Sequence, residues 1–478
     1  MIDTPARKSI KEISPIDVYR LLPGTNCHDC GEANCMAFAT RLVNGELVIP
    51  DCPPLLTDQY HSLFTAISDL LAPAVKAITF GTGNRAITIG GKHVLYRHEF
   101  TFHYPAAIAI DLDDLMPNDE LVKRVKEITG FSYEYIGRHL SLDAIAIRSV
   151  SGDPDAFAAA VRTVCGVCTY PLVLCTPDPT IMAAGLAQAG DQRPLLYTAN
   201  EKNWKEMMVL ARDYSCPLVV SAPGDLSLLR SITKTLTASG LKDLVLDPGT
   251  FVDPGIERTI MGFSLLRQAA FISHDEMTGF PLLGTPISAW AGGELSKETI
   301  EWNEACLAGM LISRYADILI MHSMEGFVLL PPLIWRFSLY TDPRKPVSVE
   351  PGVRSFGTPD MQSPLLITSN YALTYFTVES DLKAAHLNCH LIVADTGGIS
   401  VESAVAGRYL TAESITAALK EYHAESLVSH GVLIIPGLAA RLSGETEEAS
   451  GWHVLVGPKD SSGLPSFLKE HWPPKIDA

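Results

Sequence analysis

Eight short apolar runs between residues 106 and 322 constrain the fold of this chain more than any other feature. They read AAIAIDL (106–112), DAIAIRS (143–149), PLVLC (171–175), PLLYT (194–198), PLVVS (217–221), DLVLDP (243–248), FPLLG (280–284) and DILIMH (317–322). Each is short enough for a strand and lacks the polar alternation of a strand with one wet face. Between them lie segments of helical period such as NDELVKRVKEITG and NEKNWKEMMVLARDYS. Continuous apolar strands joined by crossover helices predict a parallel sheet buried on both faces. Eight such units in roughly 250 residues fit a closed (β/α)8 TIM barrel, with an open doubly wound sheet as the alternative.

The 478 residues allow more than this one domain. The pattern divides them into an N-terminal cysteine segment (1–60), the barrel (75–340), a proline- and glycine-rich linker (341–364) and a C-terminal α/β domain (365–478). In the last region the βα rhythm restarts, with strands expected at LLITSN, CHLIVADTGG, GVLIIPG and WHVLVG. The fold class is therefore α/β throughout, the C-terminal domain being a small four-stranded, Rossmann-like sheet.

Hydrophobic residues make up 47% of the chain and charged residues 19%, which suits a large core and argues against general disorder. A net charge of −17 repels phosphate backbones, and no basic patch stands out, so nucleic acid is not an expected partner. The opening residues are polar and mixed in charge, and no apolar run reaches membrane-spanning length. With ten cysteines, these features predict a cytoplasmic protein that uses thiols for metal chemistry rather than disulfides.

Four of those cysteines are concentrated. NCHDCGEANC and IPDCPP place Cys27, Cys30, Cys35 and Cys52 in a C-x2-C-x4-C-x16-C pattern. Structural zinc sites usually draw on two separate C-x2–4-C knuckles. Three clustered thiols with one distant closing cysteine, followed by Pro53, favour a [4Fe-4S] cluster over zinc or inert thiols. Gly31 lets the backbone wrap closely, and His28 reads as an exposed or outer imidazole. Cys165, Cys168 and Cys175 read as buried free thiols.

In the C-terminal domain, three expected strand ends carry small hydrogen-bonding residues: ITSNYALTYF, VADTGGIS and IIPGLAARLSG. They suit either a bulky cofactor or ordinary turns and helix caps. Dinucleotide and nucleoside-triphosphate fingerprints are missing. In the barrel region, His98, Glu99 and His103 invite a metal reading. On a regular strand, though, His98 and His103 would point to opposite faces, which leaves the barrel a structural or docking role.

The cysteine loop, GKHVLYRHEFTFHYP (91–105), RPLLYTANEKNWKEMMVLA (193–211), SNYALTYF, DTGGIS, LIIPG, LSGETEE and WHVLVGP together resemble the large (gamma) subunit of the corrinoid/iron–sulfur protein of acetyl-CoA decarbonylase/synthase systems. The resemblance runs in order along essentially the whole chain. It implies a [4Fe-4S] cluster on Cys27, Cys30, Cys35 and Cys52, a TIM barrel, and a cobamide on the C-terminal domain. The corrinoid-contacting positions it implies are Thr368, Ser369, Asn370 and Thr374; Asp395, Thr396, Gly397, Gly398, Ile399, Ser400 and Val401; and Pro436, Gly437, Ala440, Ser443 and Gly444. The family usually shows D-T-E-G where this chain has Asp395-Thr396-Gly397-Gly398.

The function implied is a methyl carrier that accepts a methyl group from a methyl-tetrahydropterin and delivers it to acetyl-CoA synthase, with the cluster reactivating the cobalt. A methyltransferase, acetyl-CoA synthase and a small (delta) subunit in a heterodimer are the implied partners. Two other readings remain: a barrel methyltransferase that binds the pterin itself, and an iron–sulfur module that activates another corrinoid protein. No D-x-H-x-x-G motif is present, so His386, His390, His423 and His430 read as surface or core residues and the corrinoid is expected histidine-off and base-off.

Overall fold

The computed structural model describes residues 10–292, 295–342 and 346–473, so residues 1–9 of the cysteine segment and 343–345 of the expected linker lie outside it. The chain forms two compact units, residues 1–133 with 140–341, and residues 134–139 with 342–478. No helix among the described residues is long and apolar enough to cross a membrane.

The first unit opens with short helices and then an antiparallel hairpin, β1 (Val75–Phe80) and β2 (Ile87–Lys92). After β3 (Ala107–Asp113) comes a second hairpin, β4 (Ser132–Tyr135) and β5 (Arg138–Ser141), of which residues 134–139 are counted with the second unit. Then follow β6 (Ala144–Arg148), β7 (Leu172–Cys175), β8 (Leu195–Ala199), β9 (Leu218–Ser221), β10 (Leu244–Asp247), β11 (Leu283–Gly284) and β12 (Ile318–Met321). All eight expected barrel strands are present. They pair in parallel in the order β10-β9-β8-β7-β6-β3-β12-β11, and a parallel bridge from Leu246 to Leu282 brings the ends together in a nearly closed barrel.

Strand alternation decides what fills the barrel. Ala107, Ala109, Ala144, Ala146, Val173, Leu195, Val219, Val245, Leu283, Ile318 and Ile320 share one core with Ile78, Phe80 and Ile89 of the first hairpin. That hairpin closes the amino end. The next inward position, at the carboxyl end, is polar on six of the strands, Asp111, Arg148, Tyr197, Ser221, Asp247 and His322, while Cys175 on a seventh stays within the apolar core. At the amino end Asp317 is held by Lys92 and by Arg267, whose guanidinium lies 2.7 Å away, and it also accepts the Leu282 N–H at 2.8 Å.

The cysteine segment does not form a core of its own. Ile13, Val18, Phe38, Leu42, Cys52, Leu55 and Ile67 pack in one cluster with Val94, Phe100 and Phe102, and Tyr340 lies against it. The RHE stretch inside YRHEFTFHYP is a helical turn (Arg97–Glu99) rather than a strand, so the alternation argument does not apply there. His98 stacks on Tyr96 at 5.8 Å, and His103 meets Phe100 edge-on at the same distance.

The second unit is a five-stranded sheet, β13 (Gly352–Phe356), β14 (Leu365–Ser369), β15 (Cys389–Ala394), β16 (Val432–Ile435) and β17 (His453–Val456), in the order β13-β15-β14-β16-β17. The four expected strands are parallel, and β13 is an antiparallel edge. This corrects the linker reading: residues 352–356 are a strand, which an edge position permits despite the prolines around it. Apolar side chains on both faces, Leu365, Ile367 and Ile392 on one and Leu366, Leu391 and Val393 on the other, bury the sheet on both sides.

Candidate functional site

Residues 26–35 form a loop in which Asn26 (φ 47°), His28 (φ 65°) and Gly31 (φ 78°) all adopt left-handed backbone. A Cβ at Gly31 would meet nothing within 4 Å, so glycine serves the backbone there rather than a close contact. The loop is tied by side chains: Asn26 Oδ1 accepts the Cys35 N–H at 2.9 Å, and Asn34 Oδ1 accepts the Ala37 N–H at 2.8 Å, capping the helix Cys35–Val43. His28 Nδ1 lies 3.0 Å from the Glu32 carbonyl, within the loop itself. Cys52 arrives from the turn Ile49–Asp51 and is buried at its edge.

Cys27, Cys30, Cys35 and Cys52 thereby line one small pocket, walled by Leu22, Pro23 and Phe38. Burial pushes the Cys52 thiol up, and the sulfurs of Cys30, Cys27 and Cys35 push it the same way. No three His, Cys, Asp or Glu side chains among the described residues are gathered tightly enough to hold a single metal ion. Four thiols lining one pocket are soft donors of the kind that could hold a multi-iron cluster.

In the second unit, β14 and β16 are neighbours with a single paired position, Leu366 opposite Ile434. Beyond it the two strands no longer pair, and a cleft of about 330 Å³ opens at their carboxyl ends. Such ends, where successive crossovers leave in opposite directions, are where open α/β sheets bind ligands. Of the expected positions, Thr368, Thr374, Ser400, Val401 and Pro436 line this cleft. Thr368 Oγ1 is buried without a hydrogen-bond partner, as is Ser369 Oγ next to it. A buried hydroxyl left unbonded costs stability, so a ligand that bonds Thr368 would satisfy a group the fold itself does not.

Other expected positions build the cleft rather than face it. Asn370 Oδ1 accepts the N–H groups of Thr396 (3.0 Å) and Gly398 (2.9 Å), and Asn370 Nδ2 donates to Asp395 at 3.2 Å. Thr396 is buried and its hydroxyl lies 2.8 Å from the Ile399 carbonyl. Gly437 allows close approach of two backbones, since a Cβ there would lie 2.7 Å from the Gly457 carbonyl oxygen. Ala440 and Gly444 are exposed and Ser443 half-buried, outside the residues lining the cleft. Gly397 sits at φ +66° with open space beyond its Cβ position, the nearest atom being 3.9 Å away on Tyr409. A glutamate would fit by volume but at a backbone strain of about 1–2 kcal/mol.

The cleft also has a wall that strand reading missed, the loop Gly457–Ser461 after β17 with Leu464 beyond it. Its GPKDSSG composition carries the same small-residue signal as the other three loops. The histidines lie elsewhere. His386, His390, His423, His430 and His453 all fall in segments leading into strands or at strand starts, the opposite end of the sheet from the cleft. His390 is buried, its Nδ1 lying 3.1 Å from Ser355 Oγ, and His430 Nδ1 accepts the Val432 N–H at 3.0 Å.

A family model described as CO dehydrogenase/acetyl-CoA synthase delta subunit matches residues 77–468, and one described as "Putative Fe-S cluster" matches residues 22–54. The acetyl-CoA decarbonylase/synthase complex subunit gamma of Methanothermobacter thermautotrophicus is 45% identical over 460 residues, covering 96% of this chain and 98% of that protein. The subunit gamma of Archaeoglobus fulgidus is 40% identical over 474 residues, covering 98% and 100%. Among solved structures, a dihydropteroate synthase from Thermus thermophilus shows a partial likeness, with 17% identity, 55% of this chain and 97% of that chain covered, and a TM-score of 0.36. The delta-named model spans the barrel and the second unit, while the full-length relatives, which take in the cysteine segment as well, are gamma subunits. The chain belongs to the CO dehydrogenase/acetyl-CoA synthase subunit family, in company with the gamma subunits of acetyl-CoA decarbonylase/synthase complexes.

Proposed function

We propose that this chain is the gamma-type subunit of an acetyl-CoA decarbonylase/synthase complex and works there as a methyl carrier with its own electron relay. The observation that carries the reading is the near-full-length relation to gamma subunits, cysteine segment included. On this reading Cys27, Cys30, Cys35 and Cys52 hold a [4Fe-4S] cluster. Thr368, Thr374, Ser400 and Val401 hold a corrinoid, with Asn370 fixing the 395–400 loop around it. A corrinoid supplies a metal that takes up and gives away a methyl group, and a low-potential cluster supplies the electron that keeps that metal reduced.

The chain's own part is binding, orientation and exclusion of water. The apolar wall of Leu373, Val378 and Ile434 suits the hydrocarbon periphery of a large macrocycle, and the threonine and serine hydroxyls suit its amide rim. No histidine is among the described residues lining the cleft, which favours a histidine-off, base-off state. A small delta subunit, a methyl-tetrahydropterin donor and acetyl-CoA synthase are the partners this reading requires.

The test is single-turnover transfer of a labelled methyl group from a methyl-tetrahydropterin to the anaerobically purified chain with its small subunit, and then to acetyl-CoA synthase. Label is expected to pass through the chain to the synthase. A chain that never becomes labelled contradicts the reading. So does an EPR spectrum of the cobalt(II) form split by a protein imidazole nitrogen.

A further inference from the structure

The wall of the cleft formed by the loop after β17 carries chemistry that the other walls lack. Among the described residues lining the cleft, Lys459 is the one basic side chain. It is exposed and makes no ion pair with any described residue. The backbone beside it is also free. The N–H groups of Lys459, Asp460 and Ser461 donate to no described residue, and they follow Pro458, which has no N–H to give. Successive free amides next to a cation are the donor set of an anion site.

The loop that carries these donors is held firmly. Gly437 N–H donates to the Pro458 carbonyl at 3.0 Å, and Gly457 N–H donates to the Ile435 carbonyl at 2.9 Å. Farther on, Ser461 Oγ donates to Asp381 on the helix Ala372–Ala384, which also lines the cleft. A Cβ at Gly437 would lie 2.8 Å from the Lys459 nitrogen, so glycine is what lets the loop lie against the end of β16. A loop tied at these points does not rearrange to bond its own amides, and its donors stay available to a ligand.

Charge divides the cleft from side to side. Glu402 lines it beyond β15 and Lys459 beyond β17, with β14 and β16 between them. Three strand spacings put those walls roughly 14 Å apart. Asp460 stands next to Lys459, but its Oδ1 accepts the Ser462 N–H at 2.9 Å, which commits that carboxylate to the loop itself. A ligand that spans the cleft therefore meets its positive wall at β17.

We propose that Lys459, with the free amides of residues 459–461, is a phosphodiester-binding subsite that orients a cobamide in the cleft by the phosphate of its nucleotide loop. This inference deepens the carrier reading and rests on it. The corrin periphery carries neutral amides, for which the hydroxyls of Thr368, Thr374 and Ser400 suffice. The phosphodiester stays anionic across the working pH range, and it is the group that calls for a cation. The chain then discriminates between a complete cobamide and the same corrin without its nucleotide loop.

The test is equilibrium dialysis of the cobalt-free full chain against cobalamin and against cobinamide, which lacks the nucleotide loop, each followed by its visible absorbance. Wild type is expected to bind cobalamin about tenfold or more tighter than cobinamide. Lys459→Met should weaken cobalamin about tenfold and leave cobinamide within about twofold, and Lys459→Arg should restore most of the loss. Raising salt from about 50 mM to about 500 mM should weaken cobalamin binding in wild type and hardly change it in Lys459→Met. Because the lysine is exposed, the thermal midpoint of Lys459→Met should stay within about 2 °C of wild type.

Equal binding of the two corrins by wild type overturns the subsite and leaves the carrier reading standing. Equal losses of both corrins in Lys459→Met, or no loss of cobalamin, also overturn it. A wild-type chain that binds neither corrin removes the carrier reading, and the subsite with it.

Discussion

The two ends of the barrel repeat one arrangement, a buried carboxylate between two basic side chains. At the amino end Asp317 sits between Lys92 and Arg267; at the carboxyl end Asp111 sits between His322 and Arg148. The amino-end trio is sealed, none of the three more than 1% exposed. It also ties the closing hairpin to the barrel, since Arg267 donates to the Phe280 carbonyl at 2.8 Å while Lys92 belongs to β2. At the carboxyl end the carboxylate is equally buried, but both bases reach solvent. Equal charges therefore sit differently: the amino-end trio is sealed from water, and the carboxyl-end trio meets it on one side.

Substitutions that break one end and spare the other sharpen this contrast. Asp317→Asn leaves Lys92 and Arg267 buried without their counter-charge and should destabilise the first unit by about 3–5 kcal/mol, read by denaturant unfolding. If His322→Gln cost as much stability as that, the contrast would fail; about 1 kcal/mol is expected from one half-exposed hydrogen bond.

In the second unit, Asn370→Ala removes the acceptor for two loop N–H groups and should cost about 2–3 kcal/mol, with faster hydrogen exchange at Thr396 and Gly398. Thr368→Val removes a hydroxyl that has no partner in the chain, so stability should hold or rise by up to about 1 kcal/mol, while corrinoid affinity falls about fivefold. A stability loss there would mean that the hydroxyl serves the fold.

The smallest effect expected is in pH. Asp111 has a folded pKa below its unfolded value, so its stabilisation is complete above the ordinary aspartate pKa of about 3.9 and is lost as pH falls through the depressed value. Asp111→Asn should flatten that acid limb in thermal unfolding followed from pH 5 downward, and an unchanged limb would exclude Asp111 as its source.

The barrel was legible because strands buried on both faces must be apolar throughout, and each quoted run became a strand. The same habit hid the mouth. Asp111, Arg148, Ser221, Asp247 and His322 stand at or beside the ends of their runs, where a polar residue reads as a strand terminator; only the alternation along a placed strand turns them inward. The second hairpin escaped notice because β4 and β5 are short, largely exposed and rich in polar residues. β13 was hidden by flanking prolines, which an edge strand tolerates.

At the candidate sites, the cysteine spacing foretold convergence on one cavity. Small residues in the C-terminal loops marked the cleft but could not separate Thr368, which lines it, from Asn370 and Gly437, which build it. That distinction depends on which way each side chain turns, and loop composition does not carry it.

The most direct test of a chain with a cluster at one end and a corrinoid in its second unit is oxygen-free purification with iron, cobalt and zinc analysis, supported by absorbance and EPR spectra. About four iron and one cobalt per chain are expected, the iron lost in Cys52→Ser and the cobalt retained there. Zinc in place of iron, or a cobalt-free chain that takes up no added cobamide, would contradict it.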